Sequence, residues 1–124
     1  MDRYAMIALG GALGAIARYQ VTAVVQARMP GAFPWGTFVV NITGCLAMGI
    51  VMTLLSERMT MHPSWRFLIP VGFIGAYTTF SAVEFETFRA VTEGAVLIGA
   101  ANAIGSIVAG YAALWLGVVL ARSF

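Results

Sequence analysis

From Ala95 to Leu120 the chain carries no charged residue, and Trp35 to Ser56 repeats the pattern, interrupted only by Thr37, Asn41 and Thr43 as its main polar residues. An uncharged apolar run of 18 or more residues reads as a membrane span. Two shorter-charged stretches complete the chain. One runs from Tyr4 to about Ala27, broken by Arg18, Gln20 and Gln26 and closed by Arg28-Met29-Pro30-Gly31; the other runs from Trp65 to Thr92. Spans over 4–27, 35–56, 65–92 and 95–120 are therefore expected, packed as a single four-helix domain over 1–124. At about 20 residues each, four spans need about 80 residues, which fits a chain of 124. The expected fold class is an all-α integral membrane protein, because open sheets leave backbone groups unsatisfied in hydrocarbon and no stretch alternates as a barrel strand does.

Composition narrows the chemistry. The chain is 60% hydrophobic and 10% charged, with seven arginines and no lysine, a net charge of +2, one histidine (His62) and one cysteine (Cys45). So small and scattered a charge excludes nucleic-acid binding. A single thiol and a single imidazole exclude disulfide, zinc and iron–sulfur chemistry. A cleavable leader, suggested by Ala15-Ile16-Ala17, is rejected because the apolar character resumes beyond Arg18. With four spans, Arg3, Arg58, Arg66 and Arg122 flank one side and Arg28 and Arg89 the other. That difference gives only a weak preference for termini inside, and permits insertion in both orientations.

Polar groups inside a membrane either bind neighbouring helices or line a wet path. Thr37, Asn41 and Met48 share one face of the second span beside Gly44 and Cys45, and both roles are open to Asn41. Gly10-x-x-x-Gly14 and Ala101-x-x-x-Gly105 suit close helix packing. In the third span Pro70, Gly72 and Gly75 precede Tyr77-Thr78-Thr79-Phe80-Ser81, so one half-helix is expected to end near Gly75 and another to start near Ser81, with a simple proline kink as the alternative. Ser81-Ala82-Val83-Glu84 fits a capping box for the restart. Such an interruption frees carbonyls that attract cations and N–H groups that attract anions. Phe80 offers positive ring edges. Glu84 and Glu86 are expected to reach the interface or to pair with Arg89. Arg18 is expected to snorkel toward the interface or serve a vestibule. Asn102 and Ser106 lie one turn apart and suit either a polar track or packing.

Together, Gly10-Gly11-Ala12-Leu13-Gly14-Ala15-Ile16-Ala17-Arg18-Tyr19, Gly36-Thr37-Phe38-Val39-Val40-Asn41-Ile42-Thr43-Gly44 and Gly72-Phe73-Ile74-Gly75-Ala76-Tyr77-Thr78-Thr79-Phe80-Ser81 resemble the Fluc fluoride channel family, also called CrcB. The resemblance implies a passive fluoride exporter in the cell (inner) membrane that confers fluoride resistance. It implies an antiparallel, dual-topology homodimer in the lipid bilayer, with a structural sodium ion at its centre held by backbone carbonyls of Gly75 and Thr78. The pore would be lined by Asn41, Phe80, Thr37, Ser81, Ser106 and Arg18. One departure stands out: the family commonly reads T-T-F-S-T-F, and here Val83 replaces the second phenylalanine. Val83 fills the volume, Phe85 shifts in, or a paralogous partner in a heterodimer supplies the ring. No nucleophile–base pair or cofactor loop points to an enzyme. The alternative, a small dual-topology proton-coupled multidrug exporter, needs a carboxylate in its first span, which holds none.

Overall fold

The computed structural model describes residues 2–58 and 60–124. Every regular element among them is helical. Helix α1 spans Arg3–Arg28; α2 spans Trp35–Thr53 and continues through a π-helical turn, Leu54–Arg58. A third helix, α3 (64–77), joins the α-helical pieces Ser64–Arg66 and Gly75–Tyr77 through a π-helical stretch, Phe67–Ile74. Helix α4 is Phe80–Thr92 and α5 is Val96–Ser123. Four segments, Arg3–Arg28, Trp35–Arg58, Ser64–Thr92 and Val96–Ser123, are long and apolar enough to cross a membrane. The shortest, of 24 residues, is about 36 Å long at 1.5 Å per residue, more than the hydrocarbon core requires. The spans exceed the sequence-based bounds by one to three residues at most ends. At α1 the Asp2 carboxylate accepts from the N–H groups of Tyr4 and Ala5 at 2.6 and 3.1 Å, satisfying two donors that every helix start leaves free.

Pro70 falls where the third span is π-helical, and there Gly75 N–H reaches back to the Pro70 carbonyl. Widening the turn absorbs the missing donor and the bulk of the ring. Between α4 and α5, Gly94 adopts φ +87°. Its N–H donates to Val91 O at 3.1 Å and that of Ala95 to Ala90 O at 2.8 Å, the paired bonds of a Schellman ending that only a glycine forms without strain.

Large apolar side chains point outward rather than inward. Leu13, Ile16, Leu97, Ile104, Ile107 and Val108 are all exposed, whereas the interior is built of glycines, small residues and a few polar groups. In water such a surface would associate indiscriminately; in lipid it is the solvated face. Small residues then let backbones meet. A Cβ on Gly10 would fall on the Leu68 carbonyl and lie 2.9 Å from Phe73 N, and one on Gly14 would fall on the Phe73 carbonyl. Gly49 and Gly117 bring α2 against α5 in the same way, on the carbonyls of Leu114 and Leu46. The Ala101–Gly105 pair, expected to pack, does not: Ala101 is exposed and nothing lies within 4 Å of a Cβ on Gly105. The face of α5 turned to the bundle instead carries Gly99, Asn102, Gly110 and Gly117.

These contacts run in register, α1 with α3 and α2 with α5 ascending together, so helices of like direction pack side by side. The lysine-free chain closes the common end of α2 and α5 with arginine: Arg58 donates to the carbonyls of Arg122 and Phe124 at 2.6 and 3.1 Å, and Arg122 pairs with Glu57 at 2.7 Å. Replacing Gly14 by Ala is expected to destabilise the detergent-solubilised protein by about 2–3 kcal/mol, the usual cost of forcing a methyl group into a packed contact. Gly11→Ala, whose Cβ meets only Gly72 O at 4.0 Å, is expected to stay within about 0.5 kcal/mol; thermal unfolding of the two variants checks the difference.

Candidate functional site

The third span loses its helical course over two residues. Thr78 (φ −81°, ψ 155°) and Thr79 (φ −148°, ψ 117°) are extended, α3 ending at Tyr77 and α4 starting at Phe80. This differs from the sequence-based limits of Gly75 and Ser81. The cap is also displaced: Thr79, not Ser81, accepts from the N–H of Ala82, at 3.3 Å. Thr79 has the extended backbone that a cap requires, whereas Ser81 already lies within the first turn.

An extended residue inside a membrane must find partners for its N–H and its C=O. For Thr79, Asn41 supplies both. The Asn41 Oδ1 accepts from Thr79 N–H at 2.7 Å and its Nδ2 donates to the Thr79 carbonyl at 3.0 Å. The side-chain amide thus pairs with a peptide group as a neighbouring strand would. Only one orientation of the amide makes both bonds, and it leaves one N–H of Nδ2 uncommitted. Around this clamp the remaining freed groups separate by sign. Among the described residues no donor takes the carbonyls of Gly75, Ala76 and Tyr77, and no acceptor takes the N–H groups of Phe80 and Ser81. The Thr78 carbonyl accepts a long bond, 3.4 Å, from Arg18 Nη1.

Two cavities flank the clamp. One, of about 250 Å³, is lined by Asn41, Thr78, Phe80, Val83, Glu84, Ser106 and their neighbours, and so gathers Asn41, Phe80 and Ser106 in one place, with Glu84 turned to this cavity rather than paired with Arg89. Ser106 Oγ is 3.5 Å from Asn102 Oδ1. Asn102 itself is 1% exposed and is bonded through Nδ2 to Thr87 Oγ1 at 3.0 Å and the Val83 carbonyl at 3.3 Å, which makes it a tie between α5 and α4 rather than a lining group. The other cavity, of about 430 Å³, lies between α1, α2 and α4 and is lined by Arg18, Thr37, Thr79 and Glu86. Arg18 therefore turns inward to the interruption instead of snorkelling outward: the unsatisfied Thr78 carbonyl is within its reach. Ser81 lines neither cavity; it is exposed, its hydroxyl 3.3 Å from that of Thr79. Phe80 is 74% exposed on the single chain and Val83 6%. Phe85, at 63% exposure, faces away from Val83 and does not shift into its place, since two residues along a helix turn the side chain through more than half a circle.

Glu86 is the residue that sequence reasoning placed wrongly. Its Oε1 accepts from the buried Thr37 hydroxyl at 2.7 Å, and its Oε2 is buried with no partner among the described residues. It makes no ion pair with Arg89. The signal was present: Glu86 lies three residues after buried Val83 and seven after Thr79, on the face of α4 turned to the bundle. An unpartnered carboxylate oxygen beside a cavity requires a proton, a water or a cation.

Gly75 and Thr78 meet the first requirement for a hard cation, neutral oxygens without a full set of donors. Gly75 is exposed on the chain, and two carbonyls fall short of the coordination shell such a cation takes. No cluster of His, Cys, Asp or Glu able to hold a metal occurs among the described residues.

The sequence matches the family described as CrcB-like protein, Camphor Resistance (CrcB), over residues 5–118. It is 52% identical over 120 residues to the fluoride-specific ion channel FluC of Solibacter usitatus, covering 97% of this chain and 98% of that protein. The FluC of Acidobacterium capsulatum is 47% identical over 118 residues, covering 95% and 94%, and that of Nitratidesulfovibrio vulgaris 43% over 122 residues, covering 98% of each. With four membrane-spanning segments, residues matched from end to end and relatives well above the level at which a shared fold is in question, the chain belongs to the CrcB family.

Proposed function

We propose that this protein is a passive fluoride channel of the cell membrane, a transporter rather than an enzyme, that lets fluoride leave the cell. The observation that carries the reading is the interruption clamped by Asn41. The positive end of a 13-residue helix that starts at Phe80 then lies at a cavity lined by Asn41, with its uncommitted N–H, and by the Phe80 ring, with the Glu84 carboxylate as the one charged group of its lining. The helix end, the amide N–H and the ring edge each offer a partial positive charge to an anion without offering a cation a ligand. Ser106 extends the polar surface of that cavity, and Thr37 and Arg18 line the cavity on the other side of the clamp. Selectivity for fluoride over chloride then rests on a narrow passage with hydrogen-bond donors, since chloride is larger and more weakly bonded. The names carried by the relatives support fluoride as the ion.

The working unit in this reading is an antiparallel homodimer. Exposed carbonyls and hydroxyls at mid-membrane cannot face lipid, and the near balance of flanking arginines permits opposite insertion of two copies. A two-fold contact would then bring Gly75 and Thr78 of both copies together, and these carbonyls would hold a structural sodium ion, whose charge holds the interface and favours anions nearby.

Purified protein in liposomes is expected to release fluoride down its gradient, with no proton gradient imposed, faster than chloride; equal rates, or no release of either, would contradict the assignment. Val83→Phe tests the box position. The reading predicts that the unmodified chain conducts on its own and that the variant changes the fluoride rate without loss of folding. Conduction that appears only with the variant, or only with a co-expressed paralogue, would replace the homodimer by a heterodimer. Asn41→Ala is expected to abolish fluoride release and to lower stability by about 1–3 kcal/mol, the cost of leaving buried backbone groups unpaired, read by flux and thermal unfolding together.

A further inference from the structure

A third cavity, of about 180 Å³, lies where the α1–α2 connection meets the end of α4. It is lined by Gly31, Ala32 and Pro34 of the connection and by Glu86, Arg89 and Glu93 of α4. Glu86 lines this cavity and the larger one that reaches Arg18 and Thr79, so the two meet at one carboxylate. The connection is held in place around the opening. Gln26 Oε1 accepts from Gly36 N–H at 3.1 Å and Gln26 Nε2 donates to the Phe33 carbonyl at 3.4 Å, while Phe38 packs edge-on against Phe33 and Trp35, which are tilted against each other, with centroids 4.5 to 5.8 Å apart.

Arg89 is the unusual member of this lining. Its helical neighbours Glu86 and Glu93, three before and four after, are the positions at which an arginine normally finds a partner. It makes contact with neither, although its charge acts on the Glu86 carboxylate: the ion pair formed among the described residues is Glu57–Arg122, and the Arg89 guanidinium makes no hydrogen bond there. Five N–H donors in a planar fork are thus left for a mobile anion.

Resting on the fluoride-channel reading, we infer that Arg89 keeps the mouth formed by the α1–α2 connection and the end of α4 open to the permeating anion by offsetting the Glu86 and Glu93 carboxylates that line it. The electrostatics give the size and sign. A unit charge within 4–8 Å of water changes the local concentration of a small anion about two- to fivefold, and salt removes the effect once the screening length falls to about 3 Å near 1 M. The last turn of α4 adds the negative end of a helix dipole to the mouth, which Arg89 offsets and Glu93 reinforces.

The test is fluoride release from liposomes bearing the full chain, measured near 10 mM and near 1 M total salt with an impermeant electrolyte. Arg89→Gln is expected to lower the rate about two- to fivefold at low salt and to leave it within experimental scatter of the parent at high salt. Arg89→Lys is expected to keep the parent rate, and Glu93→Gln to raise it at low salt alone. An unchanged low-salt rate for Arg89→Gln would overturn the inference. So would the same fractional loss at both salts, which marks a structural role at the helix end. A parent protein that releases no fluoride fails the channel reading itself, a result distinct from either.

Discussion

The side-chain amide of Asn41, bonded at 2.7 and 3.0 Å to the two backbone groups of Thr79, is the interaction on which the rest of the arrangement depends. A membrane span that gives up helical bonds exposes several peptide groups to a medium with no water to satisfy them. Asn41 pairs both backbone groups of Thr79 and leaves the others sorted, carbonyls on the α3 side and N–H groups on the α4 side. The Thr79 hydroxyl, by capping α4 at Ala82, fixes the direction in which that positive helix end points. One amide and one hydroxyl therefore convert an interruption into a polar site with a defined sign on each side.

Arginine serves the same need elsewhere. Arg18 reaches the Thr78 carbonyl, Arg66 the Leu55 carbonyl at 3.2 Å and Arg58 the carbonyls at the end of α5. In each case a guanidinium meets carbonyls that a helix end has left without donors, where both the hydrogen bonds and the helix dipole favour a cation. A lysine would offer a point charge; arginine's fork spans two carbonyls at once, as Arg58 does. Glycine makes these reaches possible by letting the backbones of α1 and α3, and of α2 and α5, come into contact. The bundle is consequently held by small residues and polar ties inside while its large apolar side chains meet the lipid.

Four spans were legible in the sequence because hydropathy alone marks a helix long enough to cross a membrane. The residues gathered around Thr79 were legible in type, since an asparagine on a small-residue stripe and a hydroxyl-rich run in an apolar span both demand partners. Their pairing was not. Nothing in the spacing of Asn41 says that it meets Thr79 rather than another helix, because that depends on the approach of α2 to the third span. Glu86 was misplaced for a related reason: nearness in sequence to Arg89 suggested an ion pair, whereas the buried Thr37 hydroxyl lies on the side toward which Glu86 points. The complete capping-box pattern at Ser81 points to the wrong hydroxyl: the extended backbone ends two residues earlier, at Thr79, and backbone geometry decides which hydroxyl caps. The Ala101–Gly105 pair shows that a small-residue pattern identifies a face suited to packing without identifying what packs there.

The central claim is that the Asn41 amide holds the Thr79 peptide outside the helix. Amide hydrogen exchange of the intact protein in lipid, read at Thr79 for the parent and for Asn41→Ala, addresses it most directly. The account predicts slow exchange at Thr79 in the parent and a rise of at least about tenfold in the variant, the change that losing about 1.4 kcal/mol of protection brings, with exchange along α1 and α5 unaltered. Equal protection at Thr79 in both proteins would contradict it.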